Sequence, residues 1–384
     1  MTDNGLKPLR ILCDVTTWVP GRTGVGLYTE RLLRAWQALG TGDELLMASN
    51  VGHQDLADLQ VPKLGPRFPV RALWLQGALP LQALRHRPDF AFLPNYLAPL
   101  VPVVPYVVTV HDLAVFLYPE TFTFKKRVLQ RAALPTLVRR AAAVLTPSES
   151  TRQDVLRLLP ADPRRVVAIP LAAEDSLQLP LSPQVAETER RALGLPPRYL
   201  LAVGTLEPRK NLVRLVRAFE QIAPNYPDLH LVIAGGRGWR DDAIHAALGD
   251  SPARARIRSA GYVSKDALRV LYGDAQALCY PSLYEGFGLP VVEAMAAGTP
   301  VLTSRGSSLD EVAAGAALAV DPLSVQAIAA GIVRLLDDPE LCASLRAKGR
   351  ARAAALSWTA TAKATREVFL RLRAGRMPCQ AGEP

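Results

Sequence analysis

A chain of 384 residues is too long for one ordinary hydrophobic core and suits two domains of roughly 150 to 200 residues each. An apolar fraction of 49% with 21% charged residues excludes a largely disordered chain. The net charge of +10 admits an anionic partner, but arginine greatly outnumbers lysine in an Ala, Leu and Pro-rich chain, so charge alone assigns none.

The N-terminus, MTDNGLKPLRILCDV, lacks a basic region followed by an apolar core, so no secretory signal is read and a cytoplasmic protein is expected. The first strand, Leu9 to Val15, runs into VPGRTGVGLYTERLLRAW, where Gly21, Gly24 and Gly26 precede an amphipathic helix. This is not a dinucleotide fingerprint, because Thr29 stands where that pattern needs Gly or Ala, and the lysine of a P-loop is missing. The glycines fit either a close backbone approach to a ligand or a plain tight turn.

Strand-like runs continue at 43–49, 89–94, 106–112, 143–148 and 165–171, each followed by a helix-like segment. The most apolar stretch, Tyr96 to Val110, holds three prolines and is too short to cross a membrane. YVVTVHDLA sets His111 and Asp112 at the end of the fourth run; alone, such a histidine is more often an ordinary hydrogen-bonded residue. FKKRVLQRAALPTLVRR, Phe124 to Arg140, is apolar and basic, which suits a solvated helix face or a peripheral contact with a membrane surface.

From Ala172 to Arg198 no strand pattern appears, and the strand series then restarts at 199–205, 229–235, 256–263, 277–282, 300–304 and 317–321. Near-continuous apolar strands alternating with helices predict two doubly wound parallel sheets, with ligands beyond the strands' carboxyl ends. At such an end lies VGTLEPRKN, in which Arg209 and Lys210 can offer a guanidinium fork and an ammonium to a diphosphate. By itself that pair also suits a solvated turn.

LYEGFGLPVVEAMAAGTPVLTS reads as strand end, glycine turn at Gly286 and Gly288, and helix N-terminus with Pro290 at its first position, closed by Gly298 and Pro300. Such a terminus favours anions. Glu285 lies before the helix and Glu293 one turn into it, so both carboxylates can face one mouth and bind hydroxyls beside a phosphate, as in a nucleotide sugar. The plainer reading makes Glu285 a dipole partner and Glu293 a solvated helix residue. Cys13, Cys279, Cys342 and Cys379 show no metal spacing and are expected as free thiols. No Asp-x-Asp occurs, so a carboxylate-held Mg²⁺ is not expected.

Taken together, YEGFGLPVVEAMAAGTPVLTS, VGTLEPRKN, VHDLA and the early glycine turn resemble the retaining family 4 glycosyltransferases across nearly the whole chain. The resemblance implies the GT-B fold, two Rossmann-like α/β domains facing across a cleft: 1–175 for the acceptor, a linker at 176–198, 199–357 for the nucleotide sugar, and 358–384 as a helix returning to the first domain plus a tail disordered from Ala374. Ser357 to Arg373 fits that helix, with Trp358, Ala362, Thr365, Phe369 and Leu372 on one face at helical spacing. It places Glu285 at the donor sugar, Glu293 at the ribose and Arg209 and Lys210 at the donor phosphates. His111 falls in the active site. Gly24, Gly26, Gly204, Gly286, Phe287, Gly288 and Leu289 line the donor. Many members carry Arg after the glycine that is Gly204 here, where this chain has Thr205.

The implied activity is metal-independent and cofactor-free: retaining transfer of a sugar, with mannose from GDP-mannose as the best fit, to a glycan or lipid-linked acceptor in cell-surface polysaccharide or glycolipid synthesis. A nucleotide-sugar epimerase or other non-transferring GT-B enzyme is the alternative, and donor-only product analysis separates the two. Nucleic-acid recognition elements are not found.

Overall fold

The computed structural model describes residues 7–19, 24–50, 63–64, 73–96, 98–179 and 181–378, so Gly21 and Cys379 lie outside the described residues. Two compact units divide the chain, Met1–Leu113 with Val128–Leu171 and Trp358–Pro384, and Ala114–Arg127 with Ala172–Ser357.

The first unit is built on seven parallel strands, β1 (Arg10–Asp14), β2 (Glu44–Ala48), β3 (Lys63–Leu64), β4 (Phe90–Leu93), β5 (Tyr106–Thr109), β6 (Ala143–Thr146) and β7 (Val166–Ala168). Their order is β3-β2-β1-β4-β5-β6-β7, with Ile11 paired to Leu45 on one side and to Phe90 on the other. The order reverses between β1 and β4, which opens a crevice at their carboxyl ends. Every residue of β4, β5 and β6 is buried, as expected of strands covered on both faces.

The last helix, Trp358–Arg373, belongs to this unit although it closes the sequence. Its Phe369 ring lies 5.4 Å from Trp36, 5.5 Å from Phe90 and 5.9 Å from Phe92. Trp358, Ala362, Thr365 and Phe369 of the predicted apolar face are buried, while Leu372 is only half-buried. The pattern missed Arg366, which is buried on the same helix and donates to Asp43 at 2.6 Å. Asp43 also accepts from Trp36 Nε1 at 3.0 Å, Thr41 at 2.7 Å and the Leu9 amide at 2.9 Å. Of the tail expected to be disordered from Ala374, residues 374–378 are described, and they continue as a helix cap. Gly375 takes φ 68°, the Arg376 amide donates to Arg371 at 2.8 Å, and Pro378 is buried.

In the second unit β8 (Tyr199–Val203), β9 (His230–Ala234), β10 (Ile257–Gly261), β11 (Ala277–Tyr280), β12 (Val301–Ser304) and β13 (Leu318–Val320) form a parallel sheet in the order β10-β9-β8-β11-β12-β13. Here the order reverses between β8 and β11. Helix Leu212–Ile222 buries Leu215, Val216 and Phe219 against this sheet. The strandless segment 172–198 carries a helix of its own, Pro183–Leu193, started by the Ser182 side chain and ended by Gly194 at φ 54°.

The segment Ala114–Arg127 packs with this unit, far from it in sequence. Tyr118 donates to the Leu283 carbonyl at 3.1 Å and its ring lies 5.8 Å from Tyr284, while Trp239 Nε1 donates to Thr121 at 2.7 Å. Among the described residues no helix is long and apolar enough to cross a membrane.

Candidate active site

The carboxyl ends of β8 and β11 gather most of the residues singled out from the sequence. β8 gives way to Gly204 at φ 140°, where a Cβ would sit 3.3 Å from Lys210 Cε; glycine lets the lysine stem lie across the backbone. The chain after β9 runs just as close. A Cβ on Gly235 would stand 1.9 Å from the Gly204 carbonyl, and one on Gly238 2.3 Å from that of Leu206. Pro208–Lys210 then makes one 3₁₀ turn and Asn211, at φ 60°, starts helix Leu212–Ile222. Asn211 Nδ2 donates to the Pro281 carbonyl at 2.9 Å and the Pro322 carbonyl at 2.7 Å. One amide thus ties the loops after β8, β11 and β13 together.

Glu285, 6% exposed, is the centre of the arrangement. Its Oε2 accepts from Arg209 at 2.7 Å, and its Oε1 from Lys210 at 2.6 Å and from the Tyr280 hydroxyl at 2.9 Å. Arg209 also donates to Glu207 and to the Tyr284 carbonyl, both at 2.7 Å, and Lys210 reaches the Tyr280 oxygen at 2.6 Å. The Leu283 amide donates to the Arg209 carbonyl at 2.9 Å, and Ser308 donates to that of Glu285 at 2.6 Å. Burial pushes the Glu285 carboxyl up, but Arg209 and Lys210 more than offset it and bring the group from 4.5 to about 2. Burial beside this carboxylate drives the Tyr280 phenol well above its usual value, so it stays a donor.

The turn after Glu285 follows the predicted pattern. Gly286, Phe287 and Gly288 are buried, Leu289 is half-buried, and helix Leu289–Ala297 ends at Gly298 with φ 77°, which places Pro290 second in the helix rather than first. Gly288, at φ 93°, is where a Cβ would meet Leu309 Cδ2 at 2.3 Å. Glu293 is 6% exposed, which rules out a solvated helix residue. It accepts from the Tyr272 hydroxyl at 3.1 Å, a different partner from those of Glu285.

His111 belongs to the first unit, two residues beyond β5, which is the fifth strand rather than the fourth because β3 precedes it. Its Nε2 lies 2.7 Å from the Pro94 carbonyl at the end of β4, and the Tyr28 ring meets it edge-on at 4.7 Å. A carbonyl only accepts, so Nε2 carries the proton and Nδ1 presents a lone pair while the ring is neutral. Burial lowers its pKa, opposed by the Pro94 contact and Asp112, and favours that neutral form. Gly24 and Gly26 do not precede the helix as expected. They are in its first turn, Gly24–Ala38, and a Cβ on Gly24 would meet nothing within 4 Å.

Sequence reasoning missed Glu207, Asn211, Gly235, Gly238, Tyr272 and Tyr280. The glycine cluster AGGRG at the end of β9 was a usable signal, and so was Asn before a helix start. Among the described residues no three His, Cys, Asp or Glu side chains gather as a metal set, and Cys13, Cys279 and Cys342 are free.

Comparison with known proteins gives matches along nearly all of the chain. The model of glycosyl transferases group 1 matches residues 185–352, and that of Glycosyltransferase Family 4 matches residues 22–176. O-antigen chain mannosyltransferase B of Escherichia coli is 36% identical over 281 residues, 71% of this chain and 70% of that protein. The serotype-specific mannosyltransferase WbdA of the same species is 28% identical over 282 residues, 71% of this chain but 34% of that protein, so the chain spans about a third of its length. Sucrose-phosphate synthase from Thermosynechococcus elongatus has a TM-score of 0.76 at 22% identity, covering 95% of this chain and 99% of that one, a likeness of fold.

Proposed function

Since the chain belongs to the group 1 glycosyl transferases of family 4 and has the GT-B fold, we propose that this glycosyltransferase moves mannose from GDP-mannose to an acceptor hydroxyl, with retention and without a metal. The observation that carries the reading is the Arg209, Lys210 and Glu285 cluster at the carboxyl ends of β8 and β11, where the strand order reverses. Two cations fixed at that point suit a diphosphate whose charge grows as the sugar leaves, and such preorganised charge is usually the largest catalytic contribution. Arg209 and Lys210 would take the charge that a divalent cation takes in other sugar transferases.

In this reading Glu285 meets the donor sugar's hydroxyls and Glu293 the ribose, with the turn Gly286 to Leu289 against the phosphates. His111, neutral, offers Nδ1 as an acceptor to a substrate hydroxyl. The departing phosphate oxygen takes the acceptor's proton on the same face, so no strong protein base is required. Mannose is supported by the relative at 36% identity, an O-antigen chain mannosyltransferase. The acceptor is a growing cell-surface polysaccharide or lipid-linked glycan, reached from the cytoplasmic side with a peripheral membrane contact.

Replacing Lys210 by Ala is expected to cut turnover by about 10²-fold or more with the fold intact, and near-normal turnover overturns the mechanism. Thermal-shift titration with GDP-, UDP- and ADP-sugars in chelator tests the donor. A response to GDP-mannose alone supports the assignment, and a response only to UDP-sugars or only with added metal refutes it.

A further inference from the structure

Residues 114–122 interrupt the first unit in sequence but belong to the second, where they lie against two loops of the site. At one end the Tyr118 hydroxyl donates to the Leu283 carbonyl at 3.1 Å, and its ring lies 5.8 Å from that of the buried Tyr284. At the other end Trp239 Nε1 donates to the Thr121 carbonyl at 2.7 Å, with its ring 5.9 Å from Phe122. The Arg240 guanidinium donates to the carbonyls of Glu120 and Phe122 from a residue at φ 57°, a left-handed backbone that residues other than glycine rarely adopt. Leu283 and Tyr284 follow β11, Trp239 and Arg240 follow β9, and β8 runs between those two strands. The segment therefore ties together the loops that flank the Arg209 and Lys210 turn.

Each tie leads to that turn by one further step. The Leu283 amide donates to the Arg209 carbonyl at 2.9 Å, and Arg209 Nη1 donates at 2.7 Å both to the Tyr284 carbonyl and to Glu285 Oε2. The loop after β9 is pressed on the chain entering the turn, since a Cβ on Gly238 would stand 2.3 Å from the Leu206 carbonyl. Tyr118 thus holds the backbone that aims the guanidinium. We propose that Tyr118 is a positioning residue for Arg209, with Trp239 anchoring the same segment from the far side. The inference rests on the transfer reading above for what Arg209 does. Preorganised charge works only when its aim is fixed, and a misplacement of about 1 Å can cost up to 10²-fold.

Tyr118→Phe keeps the ring against Tyr284 and removes only the hydroxyl. Initial rates should show kcat about tenfold lower with donor KM within about twofold, because charge growing on the leaving phosphate is met only in the transition state. Trp239→Phe, which removes the indole N–H at the other end, should shift kcat in the same direction. In an Arg209→Ala chain Tyr118→Phe should cost no further turnover, whereas a merely structural loss would add to it. Amide exchange reads the tie without substrate: Tyr118→Phe should speed exchange at Leu283 about fivefold and leave helix Leu289–Ala297 as in the parent. Unchanged kcat, a raised KM with kcat kept, additive costs in the Arg209→Ala chain, or unchanged Leu283 exchange overturns the proposal. A parent chain that transfers no mannose sinks the transfer reading instead, and the Leu283 exchange still decides whether Tyr118 holds the loop on Arg209.

Discussion

Glu285 and Glu207 already neutralise Arg209 and Lys210, so under the proposed function a donor diphosphate would compete with a carboxylate for the same donors. Glu285→Gln removes the competitor and leaves an excess positive charge. The variant is expected to bind free nucleoside diphosphate on the order of tenfold tighter by calorimetric titration, while losing transfer. The same excess charge should lower its unfolding free energy by about 3 kcal/mol, since breaking a buried ion pair leaves a charge uncompensated. pH gives a second test. Because the folded-state value of Glu285 lies near 2 and its ordinary value at 4.5, its contribution to stability is complete above 4.5 and lost as pH falls toward 2. Denaturant unfolding across that window should show a steeper decline for the parent than for Glu285→Gln. Arg209, Lys210 and Glu285 were readable because chemistry-bearing residues stood out at strand ends. Tyr280 was not, since an aromatic inside an apolar strand looks like packing until its hydroxyl is located.

The turn that links β11 to helix Leu289–Ala297 depends on glycine at one point. Gly288→Ala would place a Cβ at positive φ and 2.3 Å from Leu309 Cδ2, so it is expected to cost about 2–3 kcal/mol and to raise the donor KM, read by calorimetry and initial rates. At this scale the sequence was informative wherever strands are near-continuous apolar runs; twelve strands were visible, although β10, with Arg258 and Ser259 exposed, departs from that pattern. The pair Lys63–Leu64 was not, because two residues carry no period. Gly24 and Gly26 misled for a different reason. Two glycines cost a helix about 1 kcal/mol each, yet the helix forms from Gly24 because it buries Tyr28, Leu32, Leu33 and Trp36. Tertiary burial decided where a local propensity pointed the other way.

Across the whole molecule the chain order and the spatial order diverge. Replacing Arg366 by Ala leaves the buried Asp43 side chain without its guanidinium and is expected to destabilise the first unit by about 3 kcal/mol in denaturant titration. A chain ending at Ser357 should lose the cooperative melting of the first unit, because Trp36, Phe90 and Phe92 lose Phe369, while the second unit keeps all of its own residues. The returning helix was legible from its spacing, but the placing of Ala114–Arg127 was not, since nothing local in those residues names the distant Tyr284 and Trp239 they pack against. The closing helix also sets an order of events on the ribosome. Domains generally fold as units during synthesis, N-terminal first. Here the strands of the first unit emerge early, yet the helix that covers Trp36 and Phe92 is made only after every residue of the second unit. The unit begun first is completed last, and until then Trp36, Phe90 and Phe92 lack the cover of Phe369, the kind of exposed apolar surface on which partly folded chains aggregate.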